Sequence, residues 1–309
     1  MEKIIVRLIL LMFVVGCVSK PVTKGSAAND TLKPAESPVE VGKQVTDGAA
    51  SSPTTSQSQV SLPPSNGIPP TSRAIPKIGI IFSGGGAKAW AHIGVLKEIE
   101  KAKWPVHSVA GFEWGAVVAA VYANNLSSNE VEWEFSKVRD FENVEDIANT
   151  LFEKKSVSDF KIPFVCASLN ISTQSVFFLN RGQLNKLIPF CLAQPPLSKP
   201  YNNSVAEMHD VAGLAQHLRA TGAKKIVLIN VLAQNSKRSF TENSLSSDNI
   251  LWSESAALMA KKVSGVDDVI SINLDGYGIS EIEKKREIIA KGSELGYDEI
   301  RKLTAKYGF

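Results

Sequence analysis

The sequence predicts an α/β domain with a mostly parallel sheet flanked by helices on both faces, and three observations predict it. Short continuous apolar runs at Ile78 to Phe82, Val106 to Ala110 and Ile226 to Val231 are what strands buried on both sides require. Segments of helical spacing follow the first two, beginning with Ala87 to Lys103, whose Ala91, Val95, Leu96 and Ile99 share one side. The first two runs also turn into their helices through glycine: Ser83-Gly84-Gly85-Gly86, then Gly111-Phe112-Glu113-Trp114-Gly115. Strand, helix, strand, helix is the repeating unit of a parallel sheet.

The remaining elements follow in order. Ala116 to Val121 opens a nearly all-apolar, buried helix, and polar amphipathic helices are expected at Asn129 to Val138 and Val144 to Glu153. Pro163 to Leu169 and Ser175 to Leu179 read as two strands joined by a turn. A helix at Gln183 to Leu192 is stopped by Pro195-Pro196. Val266 to Leu274 is expected as the last strand. Helices near Ile250 to Lys262, Ile282 to Lys291 and Tyr297 to Lys306 complete a domain spanning residues 76–309.

The chain before this domain has a different character. Lys3 and Arg7 precede the uncharged apolar run Leu8 to Val15, the pattern of a secretory signal over residues 1–16, too short to span a bilayer. The run ends Val14-Val15-Gly16-Cys17, which resembles the lipobox of bacterial lipoproteins, and this implies acylation of Cys17 and a membrane anchor. Val18 follows where inner-membrane retention is associated with aspartate, so the resemblance favours the outer membrane of a bacterial envelope. Residues 17–75 are rich in Ser, Thr, Pro, Gly, Ala and Gln, with almost no aromatics and no period, and are expected to form a disordered tether.

Composition excludes several classes. The net charge is +3 and the basic residues are dispersed, without the basic stripe and interleaved aromatics of a nucleic-acid groove, so no nucleic-acid partner is expected. Three cysteines cannot form a disulfide framework. Cys166 and Cys191 sit among apolar neighbours and read as buried small hydrophobes; in an oxidising compartment a single bridge between them is also open. His92, His107, His209 and His217 show no ligand spacing, so neither metal nor cofactor is expected.

The chemistry concentrates in the two glycine turns. Glycines between a strand and a helix let backbone N–H groups converge on an anion at the positive end of the helix dipole. A P-loop reading fails, because no G-x-x-x-x-G precedes Lys88 and no Ser or Thr follows it. Gly84-x-Gly86-x-x-Ala89 fits a dinucleotide fingerprint, but the second strand ends without the ribose-binding acid. Gly111-Phe112-Glu113-Trp114-Gly115 has the outline of a nucleophile elbow, G-x-S-x-G, with glutamate in the serine position.

Phe82 to Leu96 (FSGGGAKAWAHIGVL) closely resembles the oxyanion-loop motif of patatin-like phospholipases, and the likeness extends over roughly residues 76 to 235. Gly111 and Gly115 fall where that family carries its elbow, Arg181-Gly182-Gln183-Leu184 resembles a following Gly-x-Leu segment, and Met208-His209-Asp210-Val211 resembles the region of its catalytic aspartate. The resemblance implies a Ser–Asp dyad, with Asp210 in the base position, Glu113 in the nucleophile position, and Gly84, Gly85, Gly86 and Lys88 in the oxyanion loop. Ala89 replaces the loop's last glycine and Val211 the glycine after the aspartate.

Glutamate cannot replace serine in this chemistry, since its acyl adduct would be a mixed anhydride. Two fates are open to it. Its carboxylate could turn into the glycine loop, accept amides from Gly85 or Gly86 and pair with Lys88; or it could form a like-charged pair with Asp210 that binds a cation or some other substrate. Ser83, Ser108, Trp90 and Trp104 read as structural, while the Trp114 ring could close an acyl pocket. The expected function is an envelope lipoprotein with a catalytically inactive acyl-hydrolase domain that binds lipid or a protein partner. The alternative is a lipid acyl hydrolase with a non-standard nucleophile.

Overall fold

The computed structural model describes residues 75–233, 252, 255–259 and 261–309. The expected signal, Cys17 and nearly all of the tether lie outside them, as do residues 250, 251, 253, 254 and 260 of the helix expected near Ile250 to Lys262, of which residues 252 and 255–259 are helical.

A seven-stranded sheet forms the centre: β1 (Ile78–Phe82), β2 (Val106–Gly111), β3 (Phe164–Asn170), β4 (Ser175–Leu179), β5 (Ser204–Ala206), β6 (Lys225–Ala233) and β7 (Asp268–Asn273). The strand order is β4-β3-β2-β1-β6-β7, with every pair from β3 to β7 along this path parallel. β1 is buried along its whole length and sits between β2 and β6, which accounts for its unbroken apolar sequence. β4 is an antiparallel edge strand with Phe177 exposed.

β3 outruns β2. Its Phe164 to Cys166 pair with β2, and beyond them Ser168 to Asn170 pair with β5. Three residues with no alternation gave the sequence no signal for β5; the vacant edge of β3 creates it.

Helices α1 (Ala91–Lys101), α2 (Glu113–Asn125), α3 (Ser128–Ser136), α4 (Val144–Phe152), α5 (Leu184–Leu192), α6 (Val211–Ala220) and α7 (Lys285–Tyr307) pack around the sheet. Successive residues of a strand face opposite sides. Gly79 faces Leu218 of α6, and Phe82, three residues on, meets His92 of α1 edge-on, so α1 and α6 cover opposite faces.

Two expectations about helices need correction. The single helix expected from Ala87 is a 3₁₀ turn over Gly86–Trp90 followed by α1. The two C-terminal helices are one, and glycines where it meets α1 permit close approach. A methyl group on Gly94 would lie 2.1 Å from the Ile289 carbonyl, and one on Gly292 would lie 2.1 Å from that of Ala91. α1 and α7 therefore cross almost backbone to backbone.

Cys166 on β3 and Cys191 on α5 are disulfide-bonded, which replaces the reading as separate buried thiols. The fold brings their Cα atoms to 6.0 Å, within bonding reach. Among the described residues no helix is long and apolar enough to cross a membrane.

Candidate functional site

The site forms where β1 and β2 end side by side. Phe82 pairs with Gly111, and the Phe112 N–H donates to the Phe82 carbonyl. The chain then turns at Glu113, whose φ of 47° is left-handed, a conformation costing about 1–2 kcal/mol for a residue with a side chain. The elbow glycines have a steric role. A methyl group on Gly115 would lie 2.4 Å from both the Phe82 and Ser83 carbonyl oxygens, and one on Gly111 would lie 2.3 Å from the Gly115 carbonyl. No larger residue lets the start of α2 sit this close to the end of β1.

The turn aims the Glu113 side chain into the glycine loop. Its Oε2 accepts from the Gly85 N–H at 2.9 Å and the Gly86 N–H at 3.0 Å. Gly86 is itself left-handed, with φ 54°, and the next amide, of Ala87, donates to the Ile279 carbonyl. The two amides that converge on one point are thus both occupied by a side chain of the same molecule.

Glu113 is 1% exposed, and burial pushes its carboxyl up to about 7. The amides of Trp114, Gly85 and Gly86 oppose that rise. The Trp114 amide acts without hydrogen-bonding geometry, and Oε1 has no partner among the described residues. A raised carboxyl was expected from a like-charged pair with Asp210; the cause is desolvation. Lys88 is buried, and its charge favours the ionised form of Glu281.

Asp210 lies at the start of α6 as its N-cap, and its Oδ1 accepts from the Gly213 N–H at 2.8 Å. The buried Glu207 holds the turn before it, accepting from the His209 and Asp210 amides. Met208 packs against Gly84, on whose other contacts Glu113 lies. Among the described residues no group of three or more His, Cys, Asp or Glu is placed to hold a metal ion.

Ser83 and His92 hold the loop from behind, a role sequence reasoning did not assign. The Ser83 hydroxyl accepts from the Val231 N–H at 3.0 Å and donates to the Gly84 carbonyl at 3.1 Å. Its amide donates to Ile229, and its carbonyl accepts from His92 Nε2 at 2.8 Å. Burial pulls the His92 imidazole down to about 4, so it is neutral at physiological pH and donates through Nε2. Each of these side chains meets a backbone group, which leaves no partner residue type in the sequence to read. Ser108 is buried in β2 with no partner for its hydroxyl, away from any turn that would present it.

Beside the elbow, Trp114 is buried in an aromatic cluster with Trp90 at 5.2 Å, Phe141 at 5.2 Å and Phe135 at 5.6 Å between ring centroids. Its ring serves the core here. His107, His209 and His217 each bond a backbone carbonyl or a serine hydroxyl and do not meet one another.

A family model for patatin-like phospholipases matches residues 80–223, the segment that contains the loop, the elbow and Asp210. Patatin-like phospholipase domain-containing protein 6 of Homo sapiens and of Mus musculus is 27% identical over 206 aligned positions, covering 57% of this chain and 15% of those proteins. Lysophospholipase nte1 of Emericella nidulans is 23% identical over 179 positions, covering 50% of this chain and 12% of its own. The chain thus spans a small fraction of the curated relatives it matches. Among solved structures, VipD from Legionella pneumophila aligns over 75% of this chain and 67% of its own, with a TM-score of 0.46 and 12% identity. The likeness to patatin-like phospholipases thus falls on residues 80–223.

Proposed function

We propose that this chain is a catalytically inactive acyl-hydrolase homologue that works by binding, as a lipoprotein of the bacterial envelope. One observation carries the reading: Glu113 Oε2 fills the point on which the Gly85 and Gly86 amides converge. In acyl transfer such a point stabilises the developing oxyanion, and stabilisation there is usually the largest catalytic contribution. With a carboxylate already in place, an oxyanion is excluded by volume and repelled when Glu113 is ionised. The position that should supply the nucleophile is the one that blocks the hole.

The Ser83 hydroxyl is engaged on both sides, and Asp210 is committed to the α6 cap. The sequence of the first seventeen residues supports export and acylation at Cys17, with residues 18–75 as the spacer that lets the domain stand off the bilayer. The Cys166–Cys191 bridge supports an oxidising compartment.

The test is phospholipid and short-chain ester turnover by the purified chain beside its Asp210→Asn variant. The expected result is no turnover above that of the variant. Turnover that Asp210→Asn abolishes would overturn the reading in favour of a hydrolase.

A further inference from the structure

Away from the glycine loop, α3, the segment after it and the first turn of α7 enclose a cavity of about 550 Å³. Its lining combines Trp133 and Trp90 with Arg139, Lys285 and Arg286. Trp133 is 63% exposed, whereas the chain's other four tryptophans, Trp90, Trp104, Trp114 and Trp252, are buried. The Trp133 indole thus lies largely in water beside three cations.

The charges point the same way. The one carboxylate in the lining, Glu132, is neutralised by Lys97 at 2.6 Å. Arg139, Lys285 and Arg286 form no ion pair among the described residues. Lys285 and Arg286 also occupy the first turn of α7, the positive end of a 23-residue helix, where cations are disfavoured and anions favoured. The buried Trp90, also in the lining, has an indole N–H with no acceptor among the described residues. An anion in this cavity would meet unpaired cations and a helix start.

We propose that this cavity seats the phosphate headgroup of an anionic phospholipid at a bilayer surface, with Trp133 entering the interfacial layer. Indole rings favour that layer because one edge is polar and the body apolar, and arginines beside it meet lipid phosphate. The site is separate from the loop occupied by Glu113, and it stands whether or not that loop turns over esters.

The experiment uses the full chain on phosphatidylcholine vesicles with brominated acyl chains, with and without phosphatidylglycerol. Trp133 fluorescence is taken as the difference between the chain and its Trp133→Phe variant. Quenching of Trp133 is expected on phosphatidylglycerol vesicles and not on pure phosphatidylcholine. Each cation removed should weaken this docking about fivefold, so Arg139→Gln with Arg286→Gln should weaken it roughly twenty-five-fold. Both arginines are exposed, so the fold should survive, with an unchanged circular dichroism spectrum as the check. Equal quenching on both vesicles, none on either, or no response to the double substitution would overturn the proposal. Displacement by free glycerol 3-phosphate would overturn it too, by assigning the cavity to a soluble anion.

Discussion

Replacing Glu113 with glutamine keeps the shape of the buried side chain and removes its charge. In the unfolded chain the carboxyl ionises near 4.5, and in the fold at about 7. Between those values the folded state keeps a proton that the unfolded state has released. The native chain's stability is therefore fully present below 4.5, declines as pH rises to about 7, and levels off above it. A displacement of that size corresponds to about 3 kcal/mol. The Glu113→Gln variant lacks this dependence. Its carboxamide oxygen can still accept from Gly85 and Gly86, while its NH₂ takes the partnerless place of Oε1, at a constant cost of about 1–3 kcal/mol. Urea unfolding of both proteins across the range from below 4.5 to above 7 reads the difference directly. All other titrating groups are common to both chains, so the shape of the difference curve is diagnostic and its offset is not. The variant should gain about 3 kcal/mol on the native chain as pH rises through the window. Parallel curves would refute the buried, amide-held carboxyl.

Four further outcomes follow from the same geometry. Glu113→Ser opens both amides but leaves Asp210 in the α6 cap, so short-chain nitrophenyl ester hydrolysis should stay at background; a gained rate would show that Asp210 can leave its cap. Asp210→Ala should cost about 1 kcal/mol through loss of the bond from the Gly213 N–H, and Asp210→Asn should cost less, measured as urea midpoints. Gly115→Ala would ordinarily favour a helix by up to about 1 kcal/mol, yet here it should destabilise strongly because the new methyl meets two carbonyls at 2.4 Å; a raised melting temperature would contradict the elbow. Replacing Cys166 and Cys191 together by serine opens a link across a sequence separation of 25 and should cost about 3 kcal/mol, matched by adding a reductant to the native protein.

Much of this molecule was legible in the chain because the relevant physics is local. An apolar run such as Ile78 to Phe82 is a buried central strand for the same reason wherever it occurs, and its bounds agree with the observed β1. The glycine turns could be located, and Glu113 recognised as the unusual residue of the elbow, since backbone turns leave their mark in residue type. Boundaries blurred where context decides: the helices expected at Ile282 to Lys291 and Tyr297 to Lys306 are one, lying against α1 at Gly292 and Gly296, and Ser204–Ala206 becomes a strand only because β3 extends past β2.

What the sequence by itself determined is the α/β class, the order of most of its elements and the place of a glutamate at one turn between glycines. Only the tertiary structure decided what that glutamate does. Its fate depends on Gly85 and Gly86, 28 and 27 residues earlier, and on burial, which sums over neighbours drawn from the whole domain. The loop is held by Ser83, by His92 and by Val231, 148 residues away from Ser83, each bond pairing one side chain with a distant backbone group. Desolvation and long-range pairing depend on positions in space, and the chain specifies those only once it has folded.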